Sequence, residues 1–277
     1  MLLKGKITAW IPAFAGMTAL LFLTSSMRGD ETRISWDVDT TYSGSETQAC
    51  QKLQWIVPNL IRQTTINLAV RLGLQFQEGW QYPMTVGFVD QAPRGVESAL
   101  AYTQLGFDGR HIRQRLNINV AAYTRDNFNF EKVLAHELVH AMLNDAIGAE
   151  SAVILPVWLH EGLAVYGADQ GEQMVRSYAA QFPDDHNQMI NGLEGPHTGL
   201  DYAEDYLAIK YIYKEHGVNA LHNFVRELVA RKGDVAGALE YPCHETWPQF
   251  QKHARAFALQ ELGNIPTTKM QAIEKPY

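Results

Sequence analysis

The chain has little of what marks several classes of protein. Cysteine is almost absent, with Cys50 and Cys243 the only two among 277 residues, which excludes a small disulfide-built scaffold. Those two fit either one bridge, tying the start of the folded region to its end, or two buried thiols. Positive charge is also short: Lys and Arg total 23 against 30 Asp and Glu, a formal charge of −7. No run of five or more basic residues occurs, so nucleic acid and anionic membrane surfaces are poor partners. Repeats with a period of about 20 to 50 residues and low-complexity tracts are missing, which excludes a solenoid. What remains, 46% hydrophobic and 19% charged residues, is the composition of a globular chain long enough for one or two cores.

Lys4 and Lys6 precede a mostly apolar stretch, Ile7 to Leu23, closed by Thr24, Ser25 and Ser26, in the outline of a secretory signal. Pro12 and Gly16 interrupt the run and no small-x-small cleavage site follows. Residues 1–26 therefore read as a signal peptide or an uncleaved N-terminal anchor, and the protein as secreted or periplasmic. Residues 27–44 are polar and turn-rich and read as a linker. A single domain is expected over residues 45–265, with a tail at 266–277.

Helical spacing from Glu46 to Phe76 predicts a long helix that Pro58 kinks or splits. Strands are expected at Met84 to Val89, at Ala99 to Leu105 and, across an Asp108-Gly109 turn, at residues 111–120. The last of these alternates Ile112, Gln114, Leu116, Ile118 and Val120 against Arg113, Arg115, Asn117 and Asn119. It reads as an exposed edge strand able to accept an extended peptide. Helices follow at about Phe130 to Asn144, Val157 to Ala168, Glu172 to Gln181, Tyr202 to His216, Val218 to Arg231 and Thr246 to Leu262. Strands first and helices after predict an α+β fold, a small antiparallel or mixed sheet with a mostly helical C-terminal half.

Within the first of those later helices stands AHELVHA, placing His136, Glu137 and His140 in an HExxH arrangement. On a helix the two imidazoles lie about 40° apart around the axis and roughly 6 Å apart along it, so both reach one metal. Glu137 projects about 100° from His136, beside the metal position, where a base acting on metal-activated water belongs. Apolar neighbours, among them Leu134, Leu138, Val139, Met142 and Leu143, bury the helix and require partners for its charges. A catalytic zinc takes three protein ligands. The metzincin positions for further Gly and His hold Leu143 and Ala146, which removes that option.

Downstream, PVWLHEGLAVYG offers Glu161 on a helix opened by Pro156. Glu161 is the expected third ligand, with His160 its competitor and Glu150, in the intervening loop, a weaker one. Gly162 is expected to let this helix approach the HELVH helix closely. Tyr202 and Tyr206, four residues apart on one helical face, are the candidate donors to an oxyanion. Asp145, Asp201, Glu204 and Asp205 are the candidates to hold the outer nitrogens of the ligand imidazoles. His186, His197, His216, His222, His244 and His253 lack ligand spacing, and Trp55, Trp80, Trp158 and Trp247 are expected in the core.

HELVH followed by WLHEGLAVY resembles the gluzincin pattern of the zinc aminopeptidases, in which a WLxEGxA segment supplies the glutamate ligand. Over residues 46 to 262 the chain is more similar still to the bacterial peptidase MA-like family. The interval between the second His and the Glu is longer here than in the aminopeptidases, and their motif for gripping a free amino terminus is missing, so their specificity does not carry over. The resemblance implies a zincin-like architecture, one zinc per chain held by His136, His140 and Glu161, and peptide-bond hydrolysis with Glu137 as general base. Its substrate would be a peptide or protein paired to strand 111–120. The alternative is a zinc-binding, catalytically inactive relative serving as a binding or assembly module.

Overall fold

A computed structural model of the chain describes residues 39–43, 48–74, 80–89, 100–107, 112–120, 123, 129–180, 190, 192–194 and 201–265. The expected signal or anchor, the Asp108-Gly109 turn and the tail lie outside the described residues. The elements are β1 (Asp39–Ser43), α1 (Gln48–Leu72), β2 (Met84–Val89), β3 (Ala101–Phe107), β4 (Ile112–Asn119), α2 (Phe130–Ile147), α3 (Ala149–Ala152), α4 (Val157–Gly167), α5 (Gly171–Ala179), α6 (Tyr202–Tyr211), α7 (Val218–Ala230), α8 (Val235–Cys243) and α9 (Trp247–Gly263). A wide π-helical turn, Ile212–His216, continues α6. The fold is α+β, a small mixed sheet with a mostly helical remainder.

The strand order is β1-β2-β4-β3. β2 runs parallel to β1 and to β4, while β3 pairs antiparallel with β4 and places Thr103 opposite Leu116. The edge assignment of strand 111–120 is therefore corrected: β4 is bonded on both sides, and among the described residues β1 and β3 are the edges. The alternation of β4 misled because Asn117 and Asn119, read as solvent-facing, are buried; Asn117 donates its side-chain amide to Gln104 at 3.2 Å. β1 is a second correction, since part of the expected linker forms a strand.

α1 runs through Pro58 without a break. Leu53, Val57, Ile61, Leu68 and Leu72 are buried along one stripe on both sides of the proline, and that continuous stripe outweighs one missing backbone hydrogen bond. Trp80 and Trp158 are core residues as expected and Trp247 packs against the core, whereas Trp55 is 82% exposed. Cys243 is a free, buried thiol, so it makes no bridge to Cys50. α8, interrupted in sequence by Gly237 and Pro242, was not anticipated; Asp234 caps it by accepting from the Gly237 N–H at 3.1 Å.

α2 is the axis of the domain. Asn129 caps it by accepting from the Lys132 N–H at 3.1 Å, and every residue from Leu134 to Asp145 is buried. Such a helix is packed on all sides, here by α1, α4 and α7 and by strands β3 and β4. Asp145 near its end accepts from the Tyr82 N–H at 2.8 Å and anchors the entry to β2.

Two glycines set the spacing of α4. A Cβ on Gly162 would stand 2.5 Å from the Asp205 carbonyl oxygen of α6, and one on Gly167 would stand 2.6 Å from Val139 Cγ2 of α2. Gly162 thus serves the contact with α6, not the approach to the HELVH helix expected of it; that approach is made at Gly167. Because the obstacle at Gly162 is backbone, Gly162→Ala is expected to cost about 1 to 3 kcal/mol in denaturant unfolding. Gly106→Ala, where a Cβ meets nothing within 4 Å, should stay within about 0.5 kcal/mol of the parent.

Candidate metal centre

α2 and α4 bring three side chains together inside the core. His136 and His140 project from successive turns of α2, and Glu161 reaches them from α4 with 1% exposure. Glu161 Oε2 lies 3.1 Å from His136 Nε2 and 3.6 Å from His140 Nε2, and one potential ligand atom from each residue falls within 4.8 Å of the others. Among the described residues this is the one His, Cys, Asp or Glu cluster of metal-binding size. Two nitrogens and a carboxylate oxygen suit a divalent ion of the zinc type.

Burial opposes a charge on His136, but the hydrogen bond and charge of Glu161 outweigh it and hold the imidazole above its ordinary value. Burial also acts to raise Glu161, yet His140 and His136 pull it down to about 2. Burial lowers His140 to about 3 and also depresses His160. The site thus holds an ionised carboxylate and a neutral His140. The buried Nε2 of His140 has no hydrogen-bond partner, and an orphaned buried ring nitrogen facing a carboxylate fits a cation between them.

Glu137 is 3% exposed and points aside, towards β3. Burial pushes it up to about 7, against the charge of His136 and hydrogen bonds from Thr103. Its Oε2 is buried without a partner, while Thr103 Oγ1 donates to the Glu137 backbone carbonyl at 3.0 Å and fastens the edge strand to this turn of α2.

The structure separates the remaining candidates. The Tyr202 ring stands 6.3 Å from that of His136, centroid to centroid. Tyr206, one turn further on, donates its hydroxyl to Glu172 at 2.9 Å, and Glu172 is paired with Lys210 at 2.7 Å. The hydroxyl proton of Tyr206 is thus engaged with Glu172. His160 is no member of the ligand trio: its Nδ1 lies 3.3 Å from His140 Nδ1 and its Nε2 lies 3.0 Å from the Ala152 carbonyl oxygen. Glu150 is exposed on α3.

Two of the expected carboxylates are engaged elsewhere. Asp145 is engaged with the Tyr82 amide, and Glu204 accepts the Gly192 N–H at 3.1 and 3.2 Å. The partner of His136 is instead Gln170, whose Oε1 lies 3.0 Å from Nδ1. Gln170 carried no spacing signal, since it sits in the turn after α4 and meets His136 only through packing. His216 and His253 converge on Glu245, at 3.7 and 2.8 Å, and His222 Nε2 lies 3.2 Å from the Arg71 carbonyl oxygen.

Searches of family models, curated proteins and solved structures return no match to this chain.

Elemental analysis of protein reconstituted with a divalent metal and desalted is expected to find about one ion per chain. Glu161→Ala should retain none, because two imidazoles alone leave the ion without its anionic ligand. Metal-loaded parent protein should also melt at a higher temperature than metal-free protein, in proportion to the logarithm of free metal.

Proposed function

We propose that the protein is a zinc-dependent peptidase. The observation that carries the reading is the buried His136, His140 and Glu161 cluster with Glu137, whose buried Oε2 has no hydrogen-bond partner, on the same turn of α2. His136 Nε2, His140 Nε2 and Glu161 would hold the zinc, which when bound supplies Lewis acidity towards water and the scissile carbonyl. Glu137, held near neutrality by burial, takes the proton of the attacking water and delivers it to the leaving amine. Tyr202, whose ring stands 6.3 Å from that of His136, would be the donor to the oxyanion.

The mixed sheet supports the zincin-like architecture that the resemblance to peptidase MA-like proteins implies. Its antiparallel edge strand, β3, adjoins Glu137 through Thr103. Among the described residues no strand pairs with the outer side of β3. An extended peptide added there would run past the catalytic turn, with main-chain hydrogen bonds supplying affinity. Export by the N-terminal segment, to the periplasm or beyond, belongs to the same reading.

Glu137→Gln keeps the size and polarity of the side chain but cannot take a proton. Hydrolysis of denatured casein should fall by about 10² to 10⁴-fold while zinc content is unchanged. Equal turnover by parent and variant would refute the mechanism, and a zinc-loaded parent that cleaves nothing would favour the inactive binding module. Tyr202→Phe should lower kcat by about ten- to a hundredfold with little change in KM. Tyr206→Phe should instead leave kcat intact and lower the unfolding midpoint, through the loss of its bond to Glu172.

A further inference from the structure

We propose that His160 is a positioning residue that locks His140 in the tautomer able to bind metal, an inference that rests on the metal-centre reading of the site. His160 bonds in two directions. Its Nε2 lies 3.0 Å from the Ala152 carbonyl oxygen, and a carbonyl oxygen only accepts, so this nitrogen carries a hydrogen. In a neutral imidazole the other nitrogen is then bare. That bare Nδ1 lies 3.3 Å from His140 Nδ1, so the proton between the two rings belongs to His140. With its hydrogen on Nδ1, His140 is left with a lone pair on Nε2, the atom that sits in the cluster and has no other hydrogen-bond partner. Each step is forced by the one before, starting from a backbone oxygen of α3.

The same logic acts on His136 by a different residue. Gln170 donates its amide nitrogen to the Lys132 carbonyl at 3.3 Å, which turns its Oε1 towards His136 Nδ1 at 3.0 Å. Both outer contacts thus fix a proton on Nδ1 and direct Nε2 inwards, and both are anchored on backbone carbonyls. Consecutive residues on a helix point about 100° apart. α4 therefore supplies a ligand with Glu161 and the lock on a second ligand with His160, one residue earlier.

Side-chain ¹⁵N NMR on metal-free parent protein tests the assignment without a variant. The expected result is a hydrogen on Nδ1 of His140 and on Nε2 of His160; a hydrogen on Nε2 of His140 would overturn the proposal. Zinc affinity by chelator competition is the second readout. His160→Ala should bind zinc about 10 to 100 times more weakly, and His160→Gln, whose amide oxygen can take the same proton, should lose less. Parent-like affinity in folded His160→Ala overturns the lock. Complete loss of zinc matching that of His140→Ala also overturns it, by making His160 a ligand. A parent that takes up no zinc would defeat the metal reading alone, because the tautomers are still read directly.

Discussion

A carboxylate buried between two helices is costly to hold, by several kcal/mol, unless opposite charge and hydrogen bonds meet it there. Glu161 is in that position, and the arrangement of the helices around it follows from the demand. Its partners are imidazoles on α2, a helix wrapped by the core over most of its length, so no solvent can stand in for them. α4 must come close enough to α2 for Oε2 to approach both rings. The approach is permitted at Gly167, against Val139, while Gly162 lets the opposite side of α4 lie on the backbone of α6. Larger residues at either point would separate helices whose buried charges depend on contact.

The site contains two carboxylates that burial raises alike and that their neighbours drive apart. Glu161 faces His136 and His140 and is pulled down to about 2; Glu137, a helical turn's fraction away and directed to β3, is pushed up to about 7. One is suited to hold a cation at all neutral pH values, the other to exchange a proton. Opposed environments for like groups are the usual mark of divided acid and base roles. Glu137 stands aside because residues 136, 137 and 140 on one helix cannot all face the same side, while Glu161 meets the two imidazoles from α4.

What could be read in the sequence was what a single helix decides. The spacing of His136, Glu137 and His140 fixes their relative directions whatever surrounds them, and Pro156 with the apolar run after it fixes a helix bearing Glu161. What could not be read depends on elements remote in the chain. β4 looked like an edge because its alternation is local, whereas its place in the sheet comes from pairing with β2, which precedes it by a stretch containing β3. For the outer nitrogens of His136 and His140, chemistry alone points to carboxylates. The partners of those nitrogens are an amide in a turn and a neighbouring imidazole, brought in by packing. Tyr202 and Tyr206 share a helical face in sequence, yet Gly171 leaves space for the Tyr206 ring and Glu172 takes its hydroxyl, a distinction that only the position of α5 creates.

The turn after α4 shows how such long-range contacts reinforce the local ones. Asp169, with a left-handed φ of 57°, bonds Lys132 through its backbone and its carboxylate and lies 3.4 Å from Arg71. Exposed ion pairs of this kind add little stability, and Asp169 is largely exposed. Their effect is better measured in orientation. Lys132 also receives, at its carbonyl, the amide of Gln170, so successive residues of the turn grip one residue of α2, a single helical turn before His136. The bond from the Gln170 amide nitrogen to the Lys132 carbonyl leaves Oε1 as the end that faces the His136 imidazole.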